Sequence, residues 1–102
     1  MILKPGQSLA SAVDATAIIV VRAPDQEITI TCGGVAMTEG RQGSGDGSAI
    51  DPAHRGGSIL GKRYVADDLG LELLCTKPGD GQLAADGVTL VIKAAKPLPA
   101  SD

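Results

Sequence analysis

Apolar and polar residues alternate over residues 28–32, and the double glycine at 33–34 interrupts the alternation before the apolar residues 35–37. Alternation with a period of two is typical of a strand with one buried face. Glycines can adopt the positive φ angles that a tight turn requires. Residues 82–90 have a similar layout, with Asp86-Gly87 at the turn. We therefore expect two strand-and-turn units of related design.

The segment with the strongest strand signal is 17–22, Ala-Ile-Ile-Val-Val-Arg. Its four consecutive β-branched residues are stiff at χ1 and favour a strand over a helix. Because the segment is apolar at successive positions, we expect both of its faces to be covered. Pro24 and Asp25 supply a turn, so residues 27–32 are predicted to return beside 17–22 as a hairpin. Residues 9–13 are predicted to form a short edge strand.

A similar series of segments follows later in the chain. Strands are predicted over 69–76, 82–85 and 88–93, with a dense turn signal at 78–81. The leucine spacing of residues 64–75 also fits a helix, but Gly70 and the flanking turns favour a strand. Between the two series, residues 38–63 contain seven of the fourteen glycines and have no hydrophobic period. They are predicted to be a Gly-rich linker, and residues 94–102 an extended tail.

The two series predict an internal duplication. Residues 11–37 and 64–90 share an early acidic residue, an apolar strand, a proline-containing turn, a returning strand and a glycine turn. The predicted fold is all-β, with two short β-hairpin units related by a pseudo-twofold axis and joined by the Gly-rich linker. The single domain thus has unit 1 at about 9–37, the linker at 38–63 and unit 2 at about 64–93. Units of this size are too small to be stable alone and must share one core.

Composition narrows the functional classes. The 102 residues include one aromatic side chain, Tyr64, and carry a formal net charge of −3. A chain with so few stacking groups and a net negative charge is not expected to bind nucleic acid. No apolar run approaches the roughly 18 residues of a membrane span, and the N-terminus lacks an apolar signal-peptide core. We expect a cytoplasmic protein without membrane or nucleic-acid partners.

Few side chains could act as nucleophiles, general bases or charged contact groups. Cys32 and Cys75 are far apart, and a disulfide is not expected in the cytoplasm. Cys32, beside two glycines, is the more reactive thiol by this interpretation, because an apolar strand hides Cys75. The lone histidine, His54, and the basic cluster Lys62-Arg63 beside Tyr64 are candidate contact residues.

Both units resemble desulforedoxin and the N-terminal domain of desulfoferrodoxin. Residues 31–37, Thr-Cys-Gly-Gly-Val-Ala-Met, are similar to the second cysteine knuckle of that family with one extra residue, and residues 64–70 to the first knuckle with its preceding tyrosine and following glycine. The resemblance implies a small β-unit in which four thiolates bind one iron. Here only Cys32 occupies a ligand position, while unit 2 has Ala66, Leu69, Ala85 and Asp86 at the four positions. The first knuckle of unit 1, placed near residues 14–17, has no cysteine. The scaffold is therefore expected without the iron site, and no cofactor or metal is predicted.

The sequence thus favours a non-catalytic binding or accessory protein over an enzyme. Its apolar strands would serve protein–protein binding or self-association, with Ile18 and Ile19 as candidate interface residues. Two alternatives stay open. One is a small redox or metal-binding protein that uses Cys32, and the other is a binder of a small apolar ligand between the two units.

Overall fold

Ten short strands form two antiparallel sheets in the computed structural model, which describes residues 2–41, 43–45, 50 and 52–93. The strands are β1 (Ser8–Ala10), β2 (Ala17–Arg22), β3 (Ile30–Cys32), β4 (Val35–Ala36), β5 (Thr38–Glu39), β6 (Arg63–Ala66), β7 (Leu71–Lys77), β8 (Leu83–Ala85), β9 (Val88–Thr89) and β10 (Val91–Ile92). Two short 3-10 turns, Pro52–His54 and Asp67–Leu69, are the only helical segments in the described part of the chain. The predicted all-β class is confirmed.

The strand orders of both sheets relate β1–β5 to β6–β10. The larger sheet has the order β10-β6-β7-β2-β1-β5, and the smaller sheet has the order β4-β3-β8-β9. When each of β1–β5 is exchanged with the strand five places later in the chain, each order becomes its own reverse, so the strand neighbours stay the same. The central pairs are β2 with β7 and β3 with β8, so each sheet is completed by strands from both parts of the sequence.

The residue pairing follows the same exchange. Leu9 pairs with Ile18 in β1 and β2, as Tyr64 pairs with Leu73 in β6 and β7. Thr31 pairs with Ala36, as Ala84 pairs with Thr89. We call residues 2–41 the first half and 58–93 the second half. Counterparts are two residues at the same place in exchanged strands, or in the turns that connect those strands, where equal numbers of residues separate the paired positions.

The tight turns of the two halves also match. Gly33 and Gly34 have φ angles of 63° and 87°, and their counterparts Asp86 and Gly87 have φ angles of 49° and 84°. Two successive positive φ angles define the turn that suits the twist of an antiparallel hairpin, and Gly-Gly and Asp-Gly are both favoured there. The expected glycine turn after residue 32 is therefore present.

The predicted pairing of the first two strong strands is wrong. β2 has the predicted bounds, but it pairs with β1 and β7, whereas β3 lies in the other sheet between β4 and β8. The final strand predicted over 88–93 is divided into β9 and β10 at Leu90, which is buried. The predicted tail, 94–102, lies outside the described residues.

One hydrophobic cluster joins the two sheets. It contains side chains from the central strands of both, including Ile18, Val20, Ile30, Leu73 and Leu83. Along β2, Ile18 and Val20 are buried in this core, while Ile19 is half-buried and Val21 is 36% exposed. Within this chain one face of β2 is therefore covered, and the face that carries Val21 is partly open to solvent. Its cover by a second subunit or a partner protein stays a prediction.

The described residues of 38–63 do not form a uniform loop. They include β5 and the turn Pro52–His54, and the side chains of Ile50 and Ser58 are buried. Ser58 also forms an isolated antiparallel bridge with Gly79. Parts of this segment therefore belong to the packed structure.

Candidate functional site

A buried polar cluster surrounds Asp14. The backbone N–H of Thr16 donates to Asp14 Oδ1 at 2.9 Å, and the backbone N–H of Gly81 donates to Asp14 Oδ2 at 2.8 Å. Burial of this carboxyl raises its pKa, but the hydrogen bonds from Thr16 and Gly81 outweigh burial and hold the pKa below its ordinary value. Because Asp14 belongs to the first half and Gly81 to the second, this carboxylate ties the halves together.

Cys32 lies beside this carboxylate. Its Sγ is 3.8 Å from Asp14 Oδ1, and the side chain is fully buried. The pKa of the Cys32 thiol is raised to about 11, chiefly by burial and in part by the negative charge of Asp14. Cys75 is also buried, and burial raises its pKa as well. Both cysteines are free thiols. Burial gives no support to the prediction that Cys32 is the more reactive thiol, because Cys32 and Cys75 are 0% and 1% exposed.

The residues at the ligand positions do not fit an iron site. In the second half the four positions hold the side chains of Ala66, Leu69, Ala85 and Asp86, as the sequence indicates. The strand pairing makes Ser11 and Asp14 the counterparts of Ala66 and Leu69, so the first half contributes one thiol, Cys32. Among the described residues, no group of three or more His, Cys, Asp or Glu side chains could hold a metal ion.

The other candidate residues have structural contacts. His54 is half-buried, and its backbone carbonyl accepts a hydrogen bond from Gln82 N at 2.8 Å. Tyr64 is buried, and its hydroxyl accepts a hydrogen bond from the backbone N–H of Ile59 at 2.9 Å. Lys62 is exposed. The predicted basic cluster therefore does not form one surface, because the tyrosine points into the core.

Arg63 belongs to an ion network. Its Nη1 is 2.9 Å from Glu72 Oε2, and Lys93 Nζ is 3.1 Å from Glu72 Oε1. Hydrogen bonding from Lys93, followed by that from Arg63, holds the pKa of Glu72 below its ordinary value. The three residues connect β6, β7 and the end of β10, which gives Arg63 a structural role.

An open apolar groove lies in the second half. It has a volume of about 410 Å³. Its apolar lining, with one hydroxyl, is formed by Val65, Ala66, Leu69, Val88, Thr89 and Val91. Val88 and Val91 are 59% and 60% exposed. We call this surface the second-half groove.

Two carboxylates complete the lining of the second-half groove. Asp68 and Asp86 are both exposed, and the described lining includes no basic residue. Asp86 Oδ1 also accepts a hydrogen bond from the backbone N–H of Thr29 at 2.8 Å, which fixes the turn of β8 and β9 against the first half. The groove therefore combines exposed aliphatic side chains with a negative rim.

Part of the counterpart surface of the first half is covered by the chain itself. The backbone N–H of Ser44 donates to Ser11 O at 3.0 Å, and a Cβ at Gly45 would collide with the backbone of Val13. Ile50 is buried, and a Cβ at Gly33 would lie 3.1 Å from its Cγ1. Residues 43–45 and Ile50 thus lie on the surface that corresponds to the second-half groove.

Other cavities lie outside the second-half groove. One of about 420 Å³ lies where β2 meets β7, and its lining includes Arg41 and Lys77. This is the place of the predicted ligand site between the units, but its two cationic side chains differ from the aliphatic lining that was expected. The other, of about 190 Å³, is lined by first-half residues such as Leu3, Ile28 and Met37.

The second-half groove was not predicted from the sequence. The sequence signal that could have indicated it is the run Val88-Thr89-Leu90-Val91-Ile92. Thr89 is the one polar residue of this run, so a strand formed by it would expose apolar side chains to solvent. The surface itself depends on the approach of Ala66 and Leu69, which local sequence does not reveal.

Comparisons with known proteins found no family model, no curated protein and no solved structure that matches this chain. Within the described residues, no helix has the length and apolar character needed to cross a membrane.

Proposed function

We propose that this protein is a non-catalytic binding module that docks a partner protein in the second-half groove. The observation that carries the proposal is the exposure of Val88 and Val91 beside the apolar lining of an open groove. Apolar surface of this kind, rimmed by polar residues, is characteristic of interaction sites. Docking a partner would remove these valines from water, which is favourable in proportion to the apolar area buried.

The scaffold of the proposed module is a duplicated β-unit. The exchange of strand order in both sheets and the matched pairing of residues such as Leu9 with Ile18 and Tyr64 with Leu73 support a duplication. The matched hydrogen bonds Met37 N to Ile30 O and Leu90 N to Leu83 O, at 2.8 Å and 3.0 Å, support it further. Duplication gives two related surfaces, of which one is partly covered by residues 43–45 and 50 and the other is open to a partner.

A catalytic or redox role for Cys32 has less support. A nucleophilic cysteine needs access to its substrate and a lowered pKa, normally supplied by a nearby cation or base. Cys32 is fully buried, and its ionisable neighbour is the carboxylate of Asp14, which disfavours the thiolate. These conditions are opposite to those of an activated thiol.

The proposal is tested by affinity capture from an extract of the source cells with three forms of the protein. The wild type is compared with Val88→Asp, which places a charge in the groove, and with Val35→Asp, the same change at its first-half counterpart, which is 40% exposed. We expect discrete polypeptides bound by the wild type and Val35→Asp to be lost from Val88→Asp. Circular dichroism checks that both variants retain the fold.

The decisive comparison is between the two variants. Equal retention of the same polypeptides by both, or a wild type that retains no more than an unrelated protein of similar charge, overturns the proposed docking site. A wild-type dimer in light scattering that Val88→Asp converts to a monomer would replace the partner protein by a second copy of this chain.

A further inference from the structure

The first half shows how a surface of this geometry is covered. Three small residues, 43–45, lie against the backbone of residues 13–15, and Ser44 N donates to Ser11 O at 3.0 Å. A Cβ at Gly43 would collide with the backbone of Asp14 and Ala15. At Gly43 and Gly45 the cover is therefore backbone without a side chain, because nothing larger than glycine fits so close to residues 13–15.

An aliphatic side chain completes that cover. Ile50 is 4% exposed, and its Cγ1 and Cγ2 lie 3.1 Å and 3.2 Å from the Cβ position of Gly33. The cover thus has two parts, a glycine-containing backbone stretch and one branched aliphatic anchor.

The corresponding positions of the second half carry no such cover among the described residues. Ala66, Asp68 and Leu69, which line the groove, are the counterparts of Ser11, Val13 and Asp14. A Cβ at Gly70, the counterpart of Ala15, would meet no atom within 4 Å. The space that glycine backbone fills in the first half is open here.

Charge distinguishes the two surfaces. Where the first half has Val13 and Gly33, the second half has the carboxylates of Asp68 and Asp86. A partner that buries part of the groove beside these carboxylates gains from a positive charge at its edge, and an acidic partner is repelled.

Building on the proposed function, we propose that the groove's occupant is an extended, glycine-rich segment of a partner protein that carries one branched aliphatic anchor and one lysine or arginine. The backbone of the segment lies along residues 66–70, as residues 43–45 lie along 13–15 in the first half. The cation takes the place that Ile50 has in the first half, because Asp68 and Asp86 are the counterparts of Val13 and Gly33. The anchor contacts Val88 and Val91, which are exposed, as are their counterparts Val35 and Thr38 in the first half.

The probe is a blocked synthetic peptide with the sequence of residues 43–50 and lysine in place of Asp46, Gly-Ser-Gly-Lys-Gly-Ser-Ala-Ile. It is titrated into the full-length protein while the methyl signals of Val65, Leu69, Val88 and Val91 are followed by NMR. We expect these signals to shift with saturation, while the methyl signals of Val13 and Ile50 stay in place.

Matched peptides and variants test each part of the occupant. Replacing the peptide's isoleucine by alanine should weaken binding about tenfold, because most of the anchor's apolar area is lost. Replacing its lysine by glutamate should weaken binding severalfold, and this difference should shrink at high salt. The double variant Asp68→Asn with Asp86→Asn should remove the preference for lysine over glutamate, since asparagine retains the shape and tolerates the positive φ of residue 86.

Failure of this inference is distinguishable from failure of the proposed function. Suppose that capture of the partner depends on Val88 but that none of the peptides shifts the methyl signals of the groove. The partner then binds through a structure other than an extended glycine-rich segment, and the extended-segment inference is wrong. Equal affinities of the isoleucine and alanine peptides would also overturn it. If substituting Lys96 and Leu98 in the full chain shifts the Val88 and Val91 signals without any peptide, the occupant is the chain's own tail and not a partner.

Discussion

At the scale of single residues, Asp14 is a buried carboxylate that is held by backbone groups from both halves. Its two carboxylate oxygens accept backbone hydrogen bonds from Thr16 and Gly81, and the approach is so close that glycine is required at 81. A Cβ at Gly81 would lie 2.6 Å from Cys32 Sγ. A carboxylate held in this way stabilises the fold only while it is ionised.

The variant Asp14→Asn tests this role. We expect it to lower the free energy of unfolding near neutral pH by about 1–3 kcal/mol, because a buried hydrogen-bonded charge is replaced by an amide. Since the pKa of Asp14 is lower in the folded than in the unfolded chain, its contribution is present above the unfolded value and is lost as the pH falls through the folded value. The difference between wild type and variant should therefore shrink below about pH 4.

Urea denaturation at several pH values measures the effect, and the exposed Asp25→Asn is the matched control. A pH-independent difference between wild type and Asp14→Asn, or one equal to that of the control, would show that Asp14 does not stabilise the fold as an ionised group.

At the scale of elements, the local sequence pattern predicted where strands lie better than it predicted which strands pair with each other. The β-branched run gave the bounds of β2 correctly, because χ1 stiffness and apolarity are properties of the segment itself. The partner of β2 was missed, because Ile18 pairs with Cys75, far along the chain, and no local signal encodes that contact. The groove was missed for the same reason, since residues 66–69 meet 88–91 only in the folded chain.

The two faces of β2 give an element-scale prediction. Ile18→Asp should unfold the protein, because Ile18 is fully buried and its charge would be unpaired in the core. Ile19→Asp should leave a folded protein, because Ile19 is half-buried on the opposite face. Circular dichroism and urea denaturation compare the variants, and light scattering reports any change in assembly. A folded Ile18→Asp, or an Ile19→Asp that unfolds equally, would contradict the assignment of faces.

At the scale of the whole molecule, the two halves share one core but present different surfaces. The covered surface of the first half contains Val13 and Gly33, with Ile50 packed against them. The open surface of the second half has Val88 and Val91 with the carboxylates of Asp68 and Asp86. The sequence alone predicted the all-β class and the tight turn after residue 32, but the difference between the two surfaces depends on where residues 43–45 and 50 pack.

The most direct test of the docking surface is site-specific photocrosslinking in the source cells. A benzophenone amino acid is placed at Val88 in one variant and at its counterpart Val35 in another, and the crosslinked peptides are identified by mass spectrometry. The account predicts a discrete adduct from position 88, mapped to a glycine-rich partner segment with an aliphatic and a basic residue, and little adduct from position 35. Equal adducts from the two positions, or an adduct that maps to residues 94–102 of the same chain, would contradict it.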